Sequence, residues 1–245
     1  MAAGRRNCAP RPAEIILPTN EPLSAPSPSL EPIAPAPEKS RRLLFLILFL
    51  VGGAALAAAF YWDSAALAYF AKDKSASAGA AASAISTYGD WPPVAGALAL
   101  GFGIAMAARS RRVGRVLLII LLACSLAGAS ASALRLLTGR ARPSAKIAPG
   151  WHGPHLGSFK YCSFPSAHTA VIAGGAAALA LLVPFGALPG IALVGVMAWA
   201  RMRTGAHHLS DVVAGALLGA TLGAWVATKA PATWPPQKWF EKRRG

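Results

Sequence analysis

LLFLILFLVGGAALAAAFY, residues 43–61, carries no charged side chain and is close to the roughly 20 residues that a helix needs to cross a bilayer core. Arg41 and Arg42 stand directly before it, and a proline-rich stretch precedes them. Five further apolar segments follow, at residues 93–108, 116–134, 166–183, 185–200 and 209–228. The 245 residues are 55% hydrophobic and only 13% charged, against about 25% charged in a soluble domain. The expected fold is all-α, a polytopic membrane bundle of about six transmembrane helices, because helices satisfy their own backbone in lipid.

The net charge of +15 would suit nucleic acid in a soluble domain. Here the basic residues sit in short tracts beside apolar segments, which fits topology signals and anionic lipid. No nucleic-acid partner is expected. Arg41-Arg42, then Arg109, Arg111, Arg112 and Arg115, then Lys242-Arg243-Arg244 all fall on one side of a six-span bundle. The positive-inside rule makes that side cytoplasmic and puts both termini there. Loops 62–92, 135–165 and 201–208 then face outward.

Residues 1–40 hold nine of the twenty prolines with Ala, Ser and four Glu, a composition expected to stay a disordered cytoplasmic tail. No apolar run precedes Leu43, so no signal peptide is expected. Residues 41–230 form the six-span domain, and 231–245 a basic cytoplasmic tail. Loop 62–92, with Ala65–Phe70 and Ala76–Ile85, has the makings of an interfacial helix. Cys8, Cys124 and Cys162 are spread over different compartments, so neither a disulfide nor a metal site is expected. Gly215, Gly219 and Gly223, spaced by four, would let another helix approach closely. That packing could lie within one chain or between chains, and the oligomeric state stays open.

Three polar clusters stand at the borders of apolar segments, all on the outer side. In Arg201-Met-Arg-Thr-Gly-Ala-His207-His208-Leu-Ser-Asp211, a helix starting near His207 puts Asp211 one turn on, on the same face. The carboxylate would then accept from one imidazole nitrogen, fix the tautomer and leave the other free to attack. His208 would point about 100° away. In Pro165-Ser166-Ala167-His168, Ser166 is a candidate N-cap, and the free N–H groups after it form an anion site. His168 in that first turn could protonate a leaving alkoxide. Arg135 and Arg142-Pro143 offer planar forks for phosphate oxygens, while Gly139 and Pro143 end the helix before Arg142.

In this order the three clusters resemble the signature of the type 2 phosphatidic acid phosphatase and vanadium haloperoxidase superfamily. The resemblance covers about Leu134 to Gly215. It implies that His207 attacks phosphorus and becomes a phosphohistidine, that Asp211 orients it, and that His168 protonates the leaving oxygen and then activates water. It further implies that Arg135, Arg142 and Arg201, with Ser166 and the Ala167 backbone, bind the phosphate, with no metal and no cofactor. Three positions depart from the family pattern. Arg135 stands where Lys is usual, Ala167 where Gly is usual, and Ala200 where Ser is usual. None removes a proton-transfer group.

The resemblance implies a metal-independent membrane lipid phosphatase at the outer face of a bacterial inner membrane. Its substrate would be a membrane lipid phosphate or pyrophosphate, of the undecaprenyl diphosphate, phosphatidylglycerophosphate, phosphatidate or lipid A type. Two alternatives are a lipid phosphotransferase on the same site and a non-catalytic protein that binds lipid phosphate.

Overall fold

Each apolar segment folds as a helix, and the start and stop signals of the sequence set most of the ends. The structure is a computed structural model and describes residues 38–72 and 75–230. Among the described residues the helices are α1 (Glu38–Tyr61), α2 (Asp63–Lys72), α3 (Ala76–Tyr88), α4 (Trp91–Ala107), α5 (Arg111–Thr138), α6 (Ala167–Leu182), α7 (Ala187–Arg203) and α8 (Leu209–Lys229). The expectations for the tails at 1–37 and 231–245, and for Cys8, lie outside the described residues.

Helix α5 outruns its apolar segment at both ends, because Arg111, Arg112 and Arg115 continue it and Arg is a good helix former. It stops where Gly139 turns left-handed, with φ of 60°. A Cβ there would sit 1.7 Å from the Gly153 carbonyl oxygen, so only glycine fits. Helix α4 starts at Asp90, whose carboxylate accepts from the Trp91 N–H at 2.7 Å, with proline just inside.

By length and composition, α5 and α8 can each cross a membrane. The pair Leu46–Tyr61 and Asp63–Lys72 passes together although bent by 55°, while α4 and α6 are shorter apolar helices. Loop 62–92 holds two helices, α2 and α3.

The packing is inverted relative to a soluble domain. Leu46, Phe49, Leu188 and Ile191 are exposed, while Ala123, Ala127, Ala131 and Ala170 are fully buried. Small residues let backbones approach, which is how helices gain contact where lipid is as apolar as the core. Helix α6 is central and packs on α5, α7 and α8. The glycine stripe of α8 lies against α6 of the same chain, and a Cβ at Gly219 would fall 2.3 Å from the Ala170 carbonyl oxygen. That neighbour is backbone and cannot step aside. Replacing Gly by Ala in a helix gains about 1 kcal/mol, whereas overpacking costs about 1–3 kcal/mol. Gly219→Ala is therefore expected to lower the melting temperature of the detergent-solubilised protein. Gly195→Ala on α7, where a Cβ meets nothing within 4 Å, serves as the control and should not lower it. A Gly219→Ala protein as stable as wild type would refute the close-packing account.

Candidate active site

The end of α5 and the start of α6, the end of α7 and the start of α8, the start of α4 and the α1–α2 junction all meet at one end of the bundle. This follows from their side chains. The Ser166 N–H at the head of α6 donates to the Asp211 carbonyl of α8 at 3.0 Å. Arg140, just past α5, donates to Asp211 and to Asp63 of α2. His168 of α6 stands 3.4 Å from Asp90 at the head of α4. Polar His207, Thr169, Asp211, Ser163, Ser166 and Ser210 are among the largest fully buried side chains. Burying them together is costly unless they bond one another, and they do.

His207 is fully buried in the loop between α7 and α8. Its Nδ1 lies 2.7 Å from the Ser163 carbonyl oxygen. A carbonyl only accepts, so Nδ1 carries the proton and the Nε2 lone pair is free in the neutral ring. Nε2 is buried without a hydrogen-bond partner. Burial pushes the imidazole down to about 4, against the pull of Asp211 and with help from Arg201 and Arg142. The ring is neutral, hence nucleophilic, at ordinary pH.

Here the sequence reading needs two corrections. The tautomer-fixing bond was expected from Asp211, but the nearest Asp211 oxygen is 3.7 Å from Nδ1, and the Ser163 carbonyl accepts the Nδ1–H hydrogen bond instead. His208 was expected to point away, yet its backbone N–H donates to Asp211 Oδ2 at 2.7 Å and its Nδ1 lies 3.1 Å from the same oxygen. The reason is local: α8 begins at Leu209, and His208 is its N-cap in extended conformation. Helical register therefore does not reach back to either histidine.

Ser166 caps α6 as expected, accepting from the Thr169 N–H at 3.4 Å and the Thr169 hydroxyl at 3.0 Å. Ala167 and His168 follow in the first turn. A cavity of about 540 Å³ is lined by Arg135, Arg142, Arg201, His168, Asp90 and Trp91, with Ala167 at its wall. All three expected arginines therefore meet on one space, although Arg135 lies in the last turn of α5 and Arg201 in that of α7. The Nε atoms of Arg135 and Arg201 are buried with no partner. Burial, with Arg135 nearby, holds the Arg142 guanidinium below its ordinary value. The Arg142 Nε donates to the Cys162 carbonyl at 3.3 Å. Three guanidinium groups on one cavity, two of them with an unused Nε–H, make a site for a multiply charged oxyanion.

Four residues escaped the sequence reading. Ser163 donates its hydroxyl to Asp211 Oδ2 at 2.6 Å. Arg140 donates to Asp211 Oδ1 and Ser210 Oγ, each at 2.6 Å, and to Asp63 Oδ2 at 2.7 Å. Asp63 is the lone acid between α1 and the middle of α2, and Asp90 precedes Trp-Pro-Pro, itself a helix-start pattern. That pattern could have found Asp90; for Asp63, only its cost near a membrane span could have raised suspicion.

Residues 116–234 match the family model of the PAP2 superfamily. The lipid A 1-phosphatase of Rhizobium johnstonii is 37% identical over 95 residues, or 38% of this chain and 39% of that protein. The chain thus matches about two fifths of that relative's length. The crystal structure of a transmembrane PAP2-type phosphatidylglycerolphosphate phosphatase from Bacillus subtilis shares the fold, with a TM-score of 0.55 at 18% identity. The superposition covers 81% of this chain and 96% of that one.

Proposed function

We propose that the chain, whose residues 116–234 match the PAP2 superfamily model, hydrolyses a phosphate or pyrophosphate on a membrane lipid through a phosphohistidine at His207. The observation that carries this reading is the buried, unpartnered Nε2 of a histidine whose Nδ1 proton is donated to a backbone carbonyl, with Arg201 and Arg142, two of the three arginines on the adjoining cavity, close enough to act on its charge.

In the first step the Nε2 lone pair forms a bond to phosphorus as the bond from phosphorus to the lipid oxygen breaks. His168 takes up a proton beside the Asp90 carboxylate, 3.4 Å from its Nε2, and gives it to that oxygen, and the lipid leaves as an alcohol or as a lipid phosphate. Arg135, Arg142 and Arg201, with the N–H groups that follow Ser166, hold the equatorial oxygens, whose charge is what phosphoryl transfer must stabilise. In the second step His168, now neutral, takes a proton from water. The water oxygen bonds to phosphorus, the P–N bond breaks, and inorganic phosphate leaves. His207 returns to its starting tautomer.

The similarity to a lipid A 1-phosphatase and the shared fold of a transmembrane phosphatase support a lipid substrate at the membrane. The proposed setting is a bacterial inner membrane, with both termini cytoplasmic and the site on the outer face. The arginines address the phosphate and leave the rest of the lipid to the surrounding helices. The test is a panel of undecaprenyl diphosphate, phosphatidylglycerophosphate, phosphatidate and lipid A with detergent-purified protein in EDTA. Release of inorganic phosphate from at least one lipid is expected, with chelator present, because every proton moves through side chains. Labelled acceptor lipid in place of inorganic phosphate would make the protein a phosphotransferase. Loss of all turnover in EDTA would overturn the metal-free chemistry.

A further inference from the structure

The buried ionic group behind His207 has one cation between two anions. Arg140 is only 8% exposed and spans Asp211 with Nη1 and Asp63 with Nη2. Its guanidinium carbon lies 5.3 Å from the centre of the Phe60 ring and 5.1 Å from that of Trp151, contacts that suit a cation over aromatic faces. Its backbone carbonyl accepts from the Ser163 N–H at 3.1 Å. Asp63 also accepts from the Ser210 N–H at 2.8 Å and the Ser210 hydroxyl at 2.6 Å, which holds it on the first turn of α8.

We infer that Arg140 and Asp63 are positioning residues of the reaction: Arg140 fixes the Asp211 carboxylate beside His207, and Asp63 restores the negative charge that Arg140 would otherwise cancel. The inference rests on the reading of His207 as nucleophile. An imidazole that bonds to phosphorus while keeping its Nδ1 proton gains positive charge, and a fixed anion beside it lowers the cost. An Arg140–Asp211 pair alone would be neutral. With Asp63 the trio is net negative. Asp63 lies outside residues 116–234, which carry the family match, at the 55° bend between α1 and α2.

The test follows formation of the acid-labile phosphoenzyme on full-length protein in detergent, with labelled p-nitrophenyl phosphate, and the inhibition constant of inorganic phosphate. Residues that hold a catalytic side chain typically cost about 10- to 100-fold when changed. Asp63→Asn is expected near the lower end and Arg140→Gln near the upper end, with phosphate inhibition close to wild type and a lowered melting temperature for Arg140→Gln, which strips the buried carboxylates of their cation. The double variant should be no slower than Arg140→Gln, because Asp63 acts through Arg140. If Arg140→Gln fails to fold, Arg140→Lys, whose ammonium cannot fork between two carboxylates, carries the same comparison. Wild-type rates in the single variants would overturn the inference, as would phosphate affinity falling in proportion to the rate. Multiplied losses in the double variant would also overturn it. A His207→Ala protein that still takes up label would instead overturn the reading beneath it.

Discussion

His207→Ala is expected to lose at least about 10⁴-fold in turnover, since removing a nucleophile removes the route rather than slowing it. The neighbouring imidazole does not replace it: His208 is tied to Asp211 from its backbone and its ring. Binding should survive, because Arg135, Arg142 and Arg201 line the cavity independently of His207. Inorganic phosphate should therefore bind the variant about as well as wild type. His207→Asn is the companion variant, because its amide N–H can still reach the Ser163 carbonyl while offering no nucleophile in place of Nε2. It should be as inactive as His207→Ala and nearer to wild type in melting temperature. The check is steady-state turnover of p-nitrophenyl phosphate together with trapping of phosphoenzyme. Turnover near wild type in both variants would remove His207 from the mechanism. Wild-type His207 itself should impose no acid limb from about pH 5 upward, because burial keeps it neutral down to about 4.

The helices were legible in the sequence because uninterrupted apolar runs admit few alternatives. Ser166 was legible as a cap for a related reason, since a serine before an apolar run has a local use. Arg135 and Arg142 were legible as planar forks suited to phosphate, and Arg201 only through the family resemblance. Arg140 was in plain view between Gly139 and Arg142 and still went unassigned. Its role depends on Asp63, 77 residues earlier, and no local spacing encodes that pairing. The same limit explains the error at Asp211. Sequence distance from His207 suggested a direct bond, but a cap geometry at His208 turned the carboxylate toward Arg140, Ser163 and His208. Side-chain partners drawn from remote segments are set by how the helices pack.

That packing gives the site a polarity. Arg135, Arg142 and Arg201 line one cavity, while Asp211, Arg140 and Asp63 form a buried ionic group of net negative charge. Under the proposed mechanism the cations would hold the phosphate, and the net negative group would stabilise the charge that the His207 imidazole acquires. Neither group requires the lipid portion of the substrate, which is consistent with one constellation serving different lipids.

His168→Ala is expected to separate the two steps. His168 lies in the first turn of α6 on the cavity wall, with Nε2 3.4 Å from the Asp90 carboxylate, a contact that can hold the ring. General acid catalysis of this kind contributes about 10²- to 10⁴-fold, and its worth depends on how badly the leaving oxygen needs a proton. A lipid alkoxide needs it acutely. A p-nitrophenolate scarcely needs it, so His168→Ala should still release a burst of p-nitrophenol approaching one equivalent per enzyme. The second step then fails with either substrate, because no base activates water, and phosphoenzyme should accumulate after the burst. With a lipid phosphate no burst is expected and little phosphoenzyme forms. Rapid-quench measurement of product and bound phosphate checks both arms. A burst lost equally with both substrates would show that His168 binds or positions phosphate rather than moving a proton. A normal steady state with p-nitrophenyl phosphate would remove it from the second step.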